Sequence, residues 1–329
     1  MATTLETPTD VDVAPVPDSA RAIGALSISR NFTWTLVGNI CFAACQWANL
    51  VVLAKLGGPI AVGQFALGLA VTAPVFLFWN FQLRSVQATD TSQRFQFGDY
   101  LGLRLLTTAA AMAIVVLVMI GSSYSIEVCG VILLIAIGKC FDSTTDVACG
   151  LAQQRERLDR IARARILAGI GSLSGLGLGV WLTGSVVWGA AGWALGYGLT
   201  TVLTRYWLGR DVLQTVVTQA DHKPTEPNPW LAFRPSFSLP VLTALFKTSL
   251  PLGIVAALIS LNSNVPRYFI EHELGEAALG IFAGMAYLVF AATLVCLALG
   301  EAAMPRLSKC CAAGDTVAFN RILSTLLLL

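Results

Sequence analysis

Blocks of about 20 apolar residues, separated by short polar stretches, constrain this chain more than any other feature. A block of that length, wound as a helix, spans the ~30 Å hydrocarbon core of a bilayer. Of the 329 residues only 12% are charged, about half of the ~25% that is usual in soluble domains. The shorter alternating segments of a lipid-facing barrel do not occur in the sequence. The pattern predicts an all-α polytopic membrane protein.

The apolar blocks and the polar stretches between them divide the chain. Eight spans are predicted, at 32–54, 62–82, 105–121, 126–148, 166–184, 188–208, 249–267 and 277–299. A ninth begins near Val317 and is too short to cross. The predicted domains are a disordered tail at 1–31, a first six-helix lobe at 32–209, a linker at 210–240 and the start of a second lobe at 241–329.

The basic residues indicate the orientation of the chain. Of its 21 Lys and Arg residues, 18 fall on one side of the predicted spans. Such asymmetry across short loops is typical of the cytoplasmic side, so the N-terminus and the linker are predicted to be cytoplasmic. The basic run RERLDRIARAR is then explained as a cytoplasmic loop, and no nucleic acid is expected as a partner.

A weak internal repeat relates the two sides of the linker. The text LGGPIAVGQFA, which follows the first span, matches LGEAALGIFA, which follows the seventh, with an offset of 218 residues at Leu56 and 217 after a one-residue gap. The same offset aligns two polar pairs, Gln46 with Asn264 and Asn49 with Arg267. Repeats of six spans begin on the same side, so they are parallel. We therefore expect a twelve-span protein whose second repeat is truncated in this chain.

Polar side chains within spans are costly, and they usually face a bundle interior or a water-filled path. Asn39, Gln46 and Asn49 share one face of the first span, and SLNSNVPR in the seventh span supplies Asn264 and Arg267. Either these side chains line a transport path, or they hold the helices together.

The fourth span carries charges on one narrow face, at Lys139, Asp142 and Asp146. Lys139 lies deep enough that it should form an ion pair, most simply with Asp142, whereas Asp146 falls near the cytoplasmic interface. The face is either a self-satisfied structural pair or a charged patch in a cavity that binds an anion or relays protons. Arg84 and Arg104 are further candidate cations, or anchors of helices at the interface.

Glycine and proline positions carry structural predictions. Glycines at every fourth position, Gly171, Gly175 and Gly179, predict close helix packing, and Gly192 and Gly196 offer a similar surface. Kinks are predicted at Pro74, Pro251 and Pro266. The eight cysteines are expected to pack as small apolar residues, and His222 and His272 to be solvated.

Five blocks of sequence carry a family resemblance: RNFTWTLVGNI, AKLGGPIAVGQFALGLAVTAPVFLFWNFQLRSVQATD, FQFGDYLGLRL, KCFDSTTDVACGLAQQRERLDRIA and PRYFIEHELGEAALGIFAGMAYLVFA. They cover most of residues 30–306. In them the chain resembles the polysaccharide-biosynthesis flippases of the multidrug/oligosaccharidyl-lipid/polysaccharide exporter superfamily, in the lipopolysaccharide (O-antigen) branch.

This resemblance implies a V-shaped transporter whose two lobes enclose a cavity that opens alternately to each side of the bacterial cytoplasmic (inner) membrane. The implied cargo is a polyprenyl-diphosphate-linked oligosaccharide for cell-surface polysaccharide or lipopolysaccharide, and no enzymatic activity is expected. Expected partners are this lipid-linked glycan, membrane lipids and glycan polymerase or ligase machinery. No cofactor is expected, while a coupling ion, H⁺ or Na⁺, stays open.

Two other functions are weighed beside the flippase. One is a multidrug or cation exporter of the same fold, which would favour an acidic, aromatic cavity. The other is an integral-membrane glycan polymerase or ligase, which would need larger outer loops than these. The candidate residues of the substrate or ion pathway are Asn39, Gln46, Asn49, Arg84, Arg104, Lys139, Asp142, Asp146, Asn264 and Arg267.

Overall fold

The computed structural model describes residues 28–92, 94–219, 234–290 and 294–328, and the regular structure in these ranges is helical. In chain order the helices are α1 (Ile28–Trp79), α2 (Leu83–Thr89), α3 (Phe97–Gly121), α4 (Ile126–Gln154), α5 (Leu158–Thr183), α6 (Val186–Gln219), α7 (Leu239–Phe290), α8 (Leu294–Ala312) and α9 (Thr316–Leu328). The all-α prediction is confirmed. The tail at 1–27, the linker segment at 220–233 and His222 lie outside the described residues.

Several helices extend beyond the predicted spans, and two of them cross predicted domain boundaries. Helix α1 begins at Ile28, within the stretch predicted to be a tail. Helix α6 continues to Gln219, within the stretch predicted to be the linker. The segment DVLQTVVTQ contains neither Gly nor Pro, so nothing in it stops a helix before that point.

Five of the described helical stretches are long and apolar enough to cross a membrane: Ser29–Thr89, Phe97–Gly121, Leu158–Thr183, Val186–Arg210 and Leu239–Ala286. Helix α4, which carries Lys139, Asp142 and Asp146, is not among them. It packs instead against α1, α3 and α6, and Ile132 and Ile135 on it are fully buried. Protein therefore surrounds α4 over much of its surface, which explains how a predicted span tolerates three charges.

Helices α1 and α7 each consist of two segments joined at a glycine. Each has 52 residues, and a straight helix of that length would extend ~78 Å, far beyond the ~30 Å apolar core. Gly58 (φ 74°, ψ −178°) breaks α1 and Gly275 (φ 81°, ψ 176°) breaks α7. These dihedrals belong to a region that is essentially restricted to glycine.

The breaks do not fall at the prolines that were predicted to kink these helices. Pro74, Pro251 and Pro266 lie inside α1 and α7, where non-helical dihedrals occur only at the two glycines. A proline removes one backbone hydrogen bond, and neighbouring helices in a bundle can compensate for that loss. It does not supply the positive φ that the two breaks require.

The structure supports the internal repeat. The break glycines, Gly58 and Gly275, lie 217 positions apart, which is the offset found in the sequence after the one-residue gap. The aligned polar pairs also make the same hydrogen bond. In α1, Asn49 Nδ2 donates to Gln46 Oε1 at 3.3 Å, and in α7, Arg267 Nη1 donates to Asn264 Oδ1 at 3.3 Å.

Beside the two breaks, α1 and α7 cross so closely that their backbones are in contact. A Cβ added to Gly63 would lie 1.9 Å from the carbonyl oxygen of Glu276, and one added to Gly280 would lie 2.5 Å from that of Pro59. The offset of 217 relates Gly63 to Gly280 and Pro59 to Glu276, so each half of the contact is the counterpart of the other.

The predicted glycine surfaces of α5 and α6 face each other. A Cβ on Gly175 would lie 2.1 Å from the carbonyl oxygen of Gly192, and one on Gly192 would lie 2.0 Å from that of Gly175. One turn away, a Cβ on Gly196 would lie 2.4 Å from the carbonyl oxygen of Gly171. The prediction of close packing is confirmed.

One end of the bundle gathers the polar turns, and we call it the basic end. There Asn31 Nδ2, near the start of α1, donates to the carbonyl oxygen of Glu156 in the α4–α5 turn at 2.9 Å. Gln154 Nε2 donates to the Asp90 carbonyl before α3 at 2.9 Å. The Ser236 amide before α7 donates to the Gly98 carbonyl at 2.8 Å, so α7 also starts at this end.

We predict that Gly175→Ala destabilises the protein and that Gly177→Ala does not. The first methyl group meets the backbone of α6, which should lower stability by about 1–3 kcal/mol. At Gly177 the nearest atom to an added Cβ is Val52 Cγ1 at 3.8 Å, an ordinary contact. Thermal unfolding of both variants in detergent compares them. Equal melting temperatures would contradict close packing of α5 on α6.

Candidate functional site

A buried arginine organises the basic half of the first lobe. Arg104 of α3 is 0% exposed, and its Nη2 donates to Asp146 Oδ2 of α4 at 3.1 Å. Its Nη1 donates to Asn80 Oδ1, just after α1. Ser143 Oγ donates to the same Asn80 oxygen at 2.9 Å. The guanidinium charge is thus held by one carboxylate and one amide, with no access to solvent.

Asp146 also faces a second guanidinium group. Arg84 Nη1 of α2 lies 3.8 Å from Asp146 Oδ1, and Arg84 Nε donates to Gln153 Oε1 at 2.7 Å. The Asp146 side chain keeps 32% of its surface exposed, against 13% for that of Arg84. The sequence predicted that Asp146 lies near the cytoplasmic interface, within reach of water. It is indeed partly exposed, but it bridges two cations contributed by α2 and α3.

A cavity of about 290 Å³ opens beside this bridge, between α1, α2, α4 and α5. Its charged lining residues are Arg84, Asp142, Asp146 and Arg165. Arg165 Nη1 donates to Asn39 Oδ1, which ties α5 to α1 at the cavity edge. The remaining lining residues are Phe42, Leu77, Asn80, Gln82, Ser143, Thr145, Cys149, Ile161, Ala164 and Ala168.

The predicted ion pair of Lys139 with Asp142 is not formed. The two side chains interact electrostatically, but none of the salt bridges within 4 Å in the described part of the chain joins them. Asp142 lies in the field of four charged groups, Lys139, Asp146, Arg165 and Arg104. Neighbouring helices supply two of these, so Asp142 is not restricted to the lysine on its own helix.

The other predicted residues lie away from this cavity's lining. In α1, Gln46 Nε2 donates to Tyr197 Oη of α6 at 3.2 Å and accepts from Asn49, so this pair links two helices. In α7, Asn264 Nδ2 donates to the Ser260 carbonyl at 2.8 Å and accepts from Arg267. The pair in α1 thus joins two helices, whereas the hydrogen bonds of the pair in α7 stay within that helix. Any role in a transport path stays a prediction.

Sequence reasoning did not single out three polar residues of the site. Asn80 and Gln82 stand at the end of the predicted span 62–82, where polar side chains in an apolar block were a usable signal. Arg165 was counted only as one of many cytoplasmic arginines. The sequence held no sign that its side chain turns back toward α1.

The arrangement suits a charged ligand. Three guanidinium groups, of Arg84, Arg104 and Arg165, accompany two carboxylates, of Asp142 and Asp146, so the cluster has a cationic excess. Guanidinium groups match phosphate oxygens with two parallel hydrogen bonds. An ionised carboxylate accepts hydrogen bonds from the same guanidinium groups and so competes with a phosphate. A protonated carboxyl group leaves those donors to the phosphate.

We predict that Asp146→Asn destabilises the protein by about 1.5–3 kcal/mol, because it removes the counter-charge of the buried Arg104 guanidinium. Glu273→Gln is the matched control, since Glu273 pairs with His272 on the surface, with 68% of its side chain exposed. Thermal unfolding in detergent should show a loss for the first variant and no measurable change for the second. A wild-type melting temperature for Asp146→Asn would contradict a structural role of the bridge.

Comparisons with known proteins agree with this fold. The family model described as "Polysaccharide biosynthesis protein" matches residues 28–311. The capsular polysaccharide biosynthesis protein CapF of Staphylococcus aureus is 25% identical over 283 residues, which are 85% of this chain and 66% of that protein. The chain therefore spans just under two thirds of the length of this relative.

Solved transporters share the architecture at low identity. A MATE protein in complex with MaD5 matches with a TM-score of 0.63 and 15% identity, over 91% of this chain and 69% of that one. A MOP superfamily transporter from Pyrococcus furiosus matches with a TM-score of 0.55 and 15% identity, over 92% and 67% of the two chains. These likenesses show the fold alone. With the family model covering α1 to α8, the chain belongs to the polysaccharide biosynthesis protein family and is a multi-pass membrane protein with the MOP transporter fold.

Proposed function

We propose that this protein is an alternating-access flippase that moves a polyprenyl-diphosphate-linked oligosaccharide across the bacterial cytoplasmic membrane without catalysing a chemical reaction on it. The observation that carries the proposal is a cavity in the first lobe of a polysaccharide biosynthesis protein, lined by the guanidinium groups of Arg84 and Arg165 together with two carboxylates. Membership of the family supports a glycan as cargo, and the MOP fold supports transport.

The cavity suits the headgroup of such a lipid. Its volume of about 290 Å³ is at the lower end of the ~300–1,000 Å³ usual for small-molecule sites. It is lined by Arg84 and Arg165, with Arg104 behind them. A diphosphate would take hydrogen bonds from the guanidinium groups of Arg84 and Arg165, while the glycan and the lipid tail would extend beyond this lobe.

The same geometry offers a coupling step. Arg84 is held to Asp146 loosely, at 3.8 Å, so an anion that enters the cavity competes with this carboxylate for the guanidinium group. We propose that the two carboxylates that line the cavity, of Asp142 and Asp146, link this competition to H⁺. Collapse of the proton gradient in vesicles should then stop transport, whereas dependence on Na⁺ would assign the coupling to that ion.

A multidrug or cation exporter of the same fold is the second candidate. Asp142 and Asp146 both line the cavity, and two carboxylates would attract a cationic drug. Against this stands the excess of guanidinium groups around them. The two functions separate in one host, because an exporter raises resistance to cationic drugs without changing surface polysaccharide.

The proposed orientation places the basic end in the cytoplasm. This end holds Asn31, the α4–α5 turn and the start of α7, and the positive-inside tendency favours it on that side. Substrate made in the cytoplasm would reach the cavity from there. We infer that membrane lipids and the glycan polymerase or ligase machinery are neighbours of the protein.

The direct test is expression in a bacterial host that lacks its own polysaccharide flippase. We expect surface polysaccharide to be restored and cationic-drug resistance to be unchanged. Protein present in the membrane without restored polysaccharide would contradict the flippase. A gain of drug resistance in its place would favour the exporter.

Two variants test the cavity in the same host. Arg84→Gln should lower export roughly tenfold, because a lost charge-assisted contact is worth about 1.5–3 kcal/mol. Lys139→Leu should also lower export, through the charge that it removes near Asp142. Lys55→Leu, which removes an exposed cation from α1, is the control and should leave export unchanged. Wild-type export by stable Arg84→Gln and Lys139→Leu proteins would show that this charged face is structural.

A further inference from the structure

The turn between α4 and α5 holds a glutamate in an unusual conformation. Glu156 has φ 56°, in the left-handed region that a residue with a side chain seldom adopts. Glycine would fit this position without strain. A strained residue persists only where its surroundings fix it, and such residues cluster at sites with a role.

The backbone around Glu156 is fixed from both sides by α1. Asn31, which is 1% exposed, donates through Nδ2 to the Glu156 carbonyl oxygen at 2.9 Å. Its Oδ1 accepts from the Leu158 amide at 3.2 Å. The Arg157 amide closes the turn on the Ala152 carbonyl at 2.9 Å. These hydrogen bonds fix the backbone of the turn and therefore the direction in which the Glu156 side chain leaves it.

The Glu156 carboxylate faces α8, in the second lobe. Arg306 Nε of α8 donates to Glu156 Oε2 at 3.0 Å, and Lys309 Nζ, one turn along α8, donates to Glu156 Oε1. Only 10% of the Glu156 side chain is exposed, against 30% for Arg306 and 43% for Lys309. The contact thus joins the first lobe to α8 across 150 residues of sequence.

We propose that Glu156, Arg306 and Lys309 form an inter-lobe latch, which holds the lobes together at the basic end and opens in each transport cycle. This inference rests on the proposed alternating access. Separation of the lobes would release Glu156 into water, and Arg306 and Lys309 are already partly hydrated. Opening exposes the Glu156 carboxylate to water, which compensates for the lost ion pairs, so such a contact can break and re-form reversibly.

The contact beside the helix breaks has a different character. There Gly63 and Gly280 bring two backbones together at distances that exclude any side chain. Close backbone approach dominates that contact, and a side-chain hydrogen bond between Gln64 of α1 and Glu276 of α7 lies beside it. In the proposed cycle the glycine crossing between α1 and α7 therefore stays closed. The ion pairs at the basic end are the contact that opens.

A distance measurement between the lobes tests the latch. Spin labels are placed at Thr91, in the α2–α3 loop, and at Ala312, at the end of α8; both positions are exposed. The native cysteines are replaced first, and the distance distribution is recorded for the full chain in lipid nanodiscs. Glu156→Gln removes the charge and Glu156→Gly removes the side chain while fitting the turn's φ.

We expect both variants to gain a population with a longer distance, on the order of tenfold over wild type, which corresponds to about 1.4 kcal/mol. Asp159→Asn is the matched control, because Asp159 pairs with Arg157 at 2.9 Å next to the same turn, within the first lobe. Its distribution should equal the wild-type one. Glu156→Lys combined with Arg306→Glu and Lys309→Glu reverses every charge and should restore the shorter distance.

Unchanged distributions in Glu156→Gln and Glu156→Gly would overturn the latch, and so would an equal change in Asp159→Asn. The readout needs no transport, so failure of the latch is distinguishable from failure of the flippase proposal. If the distances respond as expected but the host's surface polysaccharide is not restored, the latch stands and the cargo is wrong. If polysaccharide is restored but the distances do not respond, the latch proposal is wrong and the flippase proposal is unaffected.

Discussion

The contact between the backbones of α1 and α7 is the constraint on which the arrangement of the lobes depends. Lipid tails are as apolar as the helix surfaces, so burial of apolar area alone does not drive two helices together in a membrane. Close approach has to supply the attraction, and it requires residues without a Cβ. Gly63 and Gly280 meet this requirement at the crossing, and Gly175 and Gly192 meet it between α5 and α6.

Within this frame, α4 can carry charges that a lipid-facing helix could not. The apolar side of α4 is buried among α1, α3 and α6, and its polar side meets Arg104 and Arg84. The buried guanidinium of Arg104 needs Asp146, and Asp146 is still exposed enough to meet a ligand. One carboxylate therefore serves the stability of the lobe and faces the cavity. This dual role means that variants of Asp146 have to be compared for stability before they are compared for transport.

Local patterns in the sequence predicted much of the fold. Apolar blocks of membrane length, glycines at every fourth position and the offset between LGGPIAVGQFA and LGEAALGIFA all reappear as structure. Each of these signals concerns one helix, or two segments that share a pattern. The breaks at Gly58 and Gly275 fall between predicted spans, 32–54 and 62–82 for the first and 249–267 and 277–299 for the second. The pattern did not show that a single glycine makes each break. The positive φ that these turns need is a property of glycine.

The candidate site was predictable only in part. Periodicity placed Lys139, Asp142 and Asp146 on one face, and that face does border a cavity through the two aspartates. It could not show which partners they meet, because Arg104 lies 42 residues from Asp146 and Arg165 lies 126 residues from Asn39. Such pairings depend on the rotation of each helix about its own axis, which the packing of several neighbours sets together.

The crossing of α1 and α7 has the form of the interface in a two-fold symmetric dimer, in which one patch meets its own copy. Gly63 lies on Glu276, and their counterparts Gly280 and Pro59 form the second half of the same contact. A single peptide chain thus contains an interface of the kind that two identical subunits form with each other. In one chain the two glycines are separate positions, so a mutation changes only one of them. Even so, a side chain at either Gly63 or Gly280 would open the contact that both form.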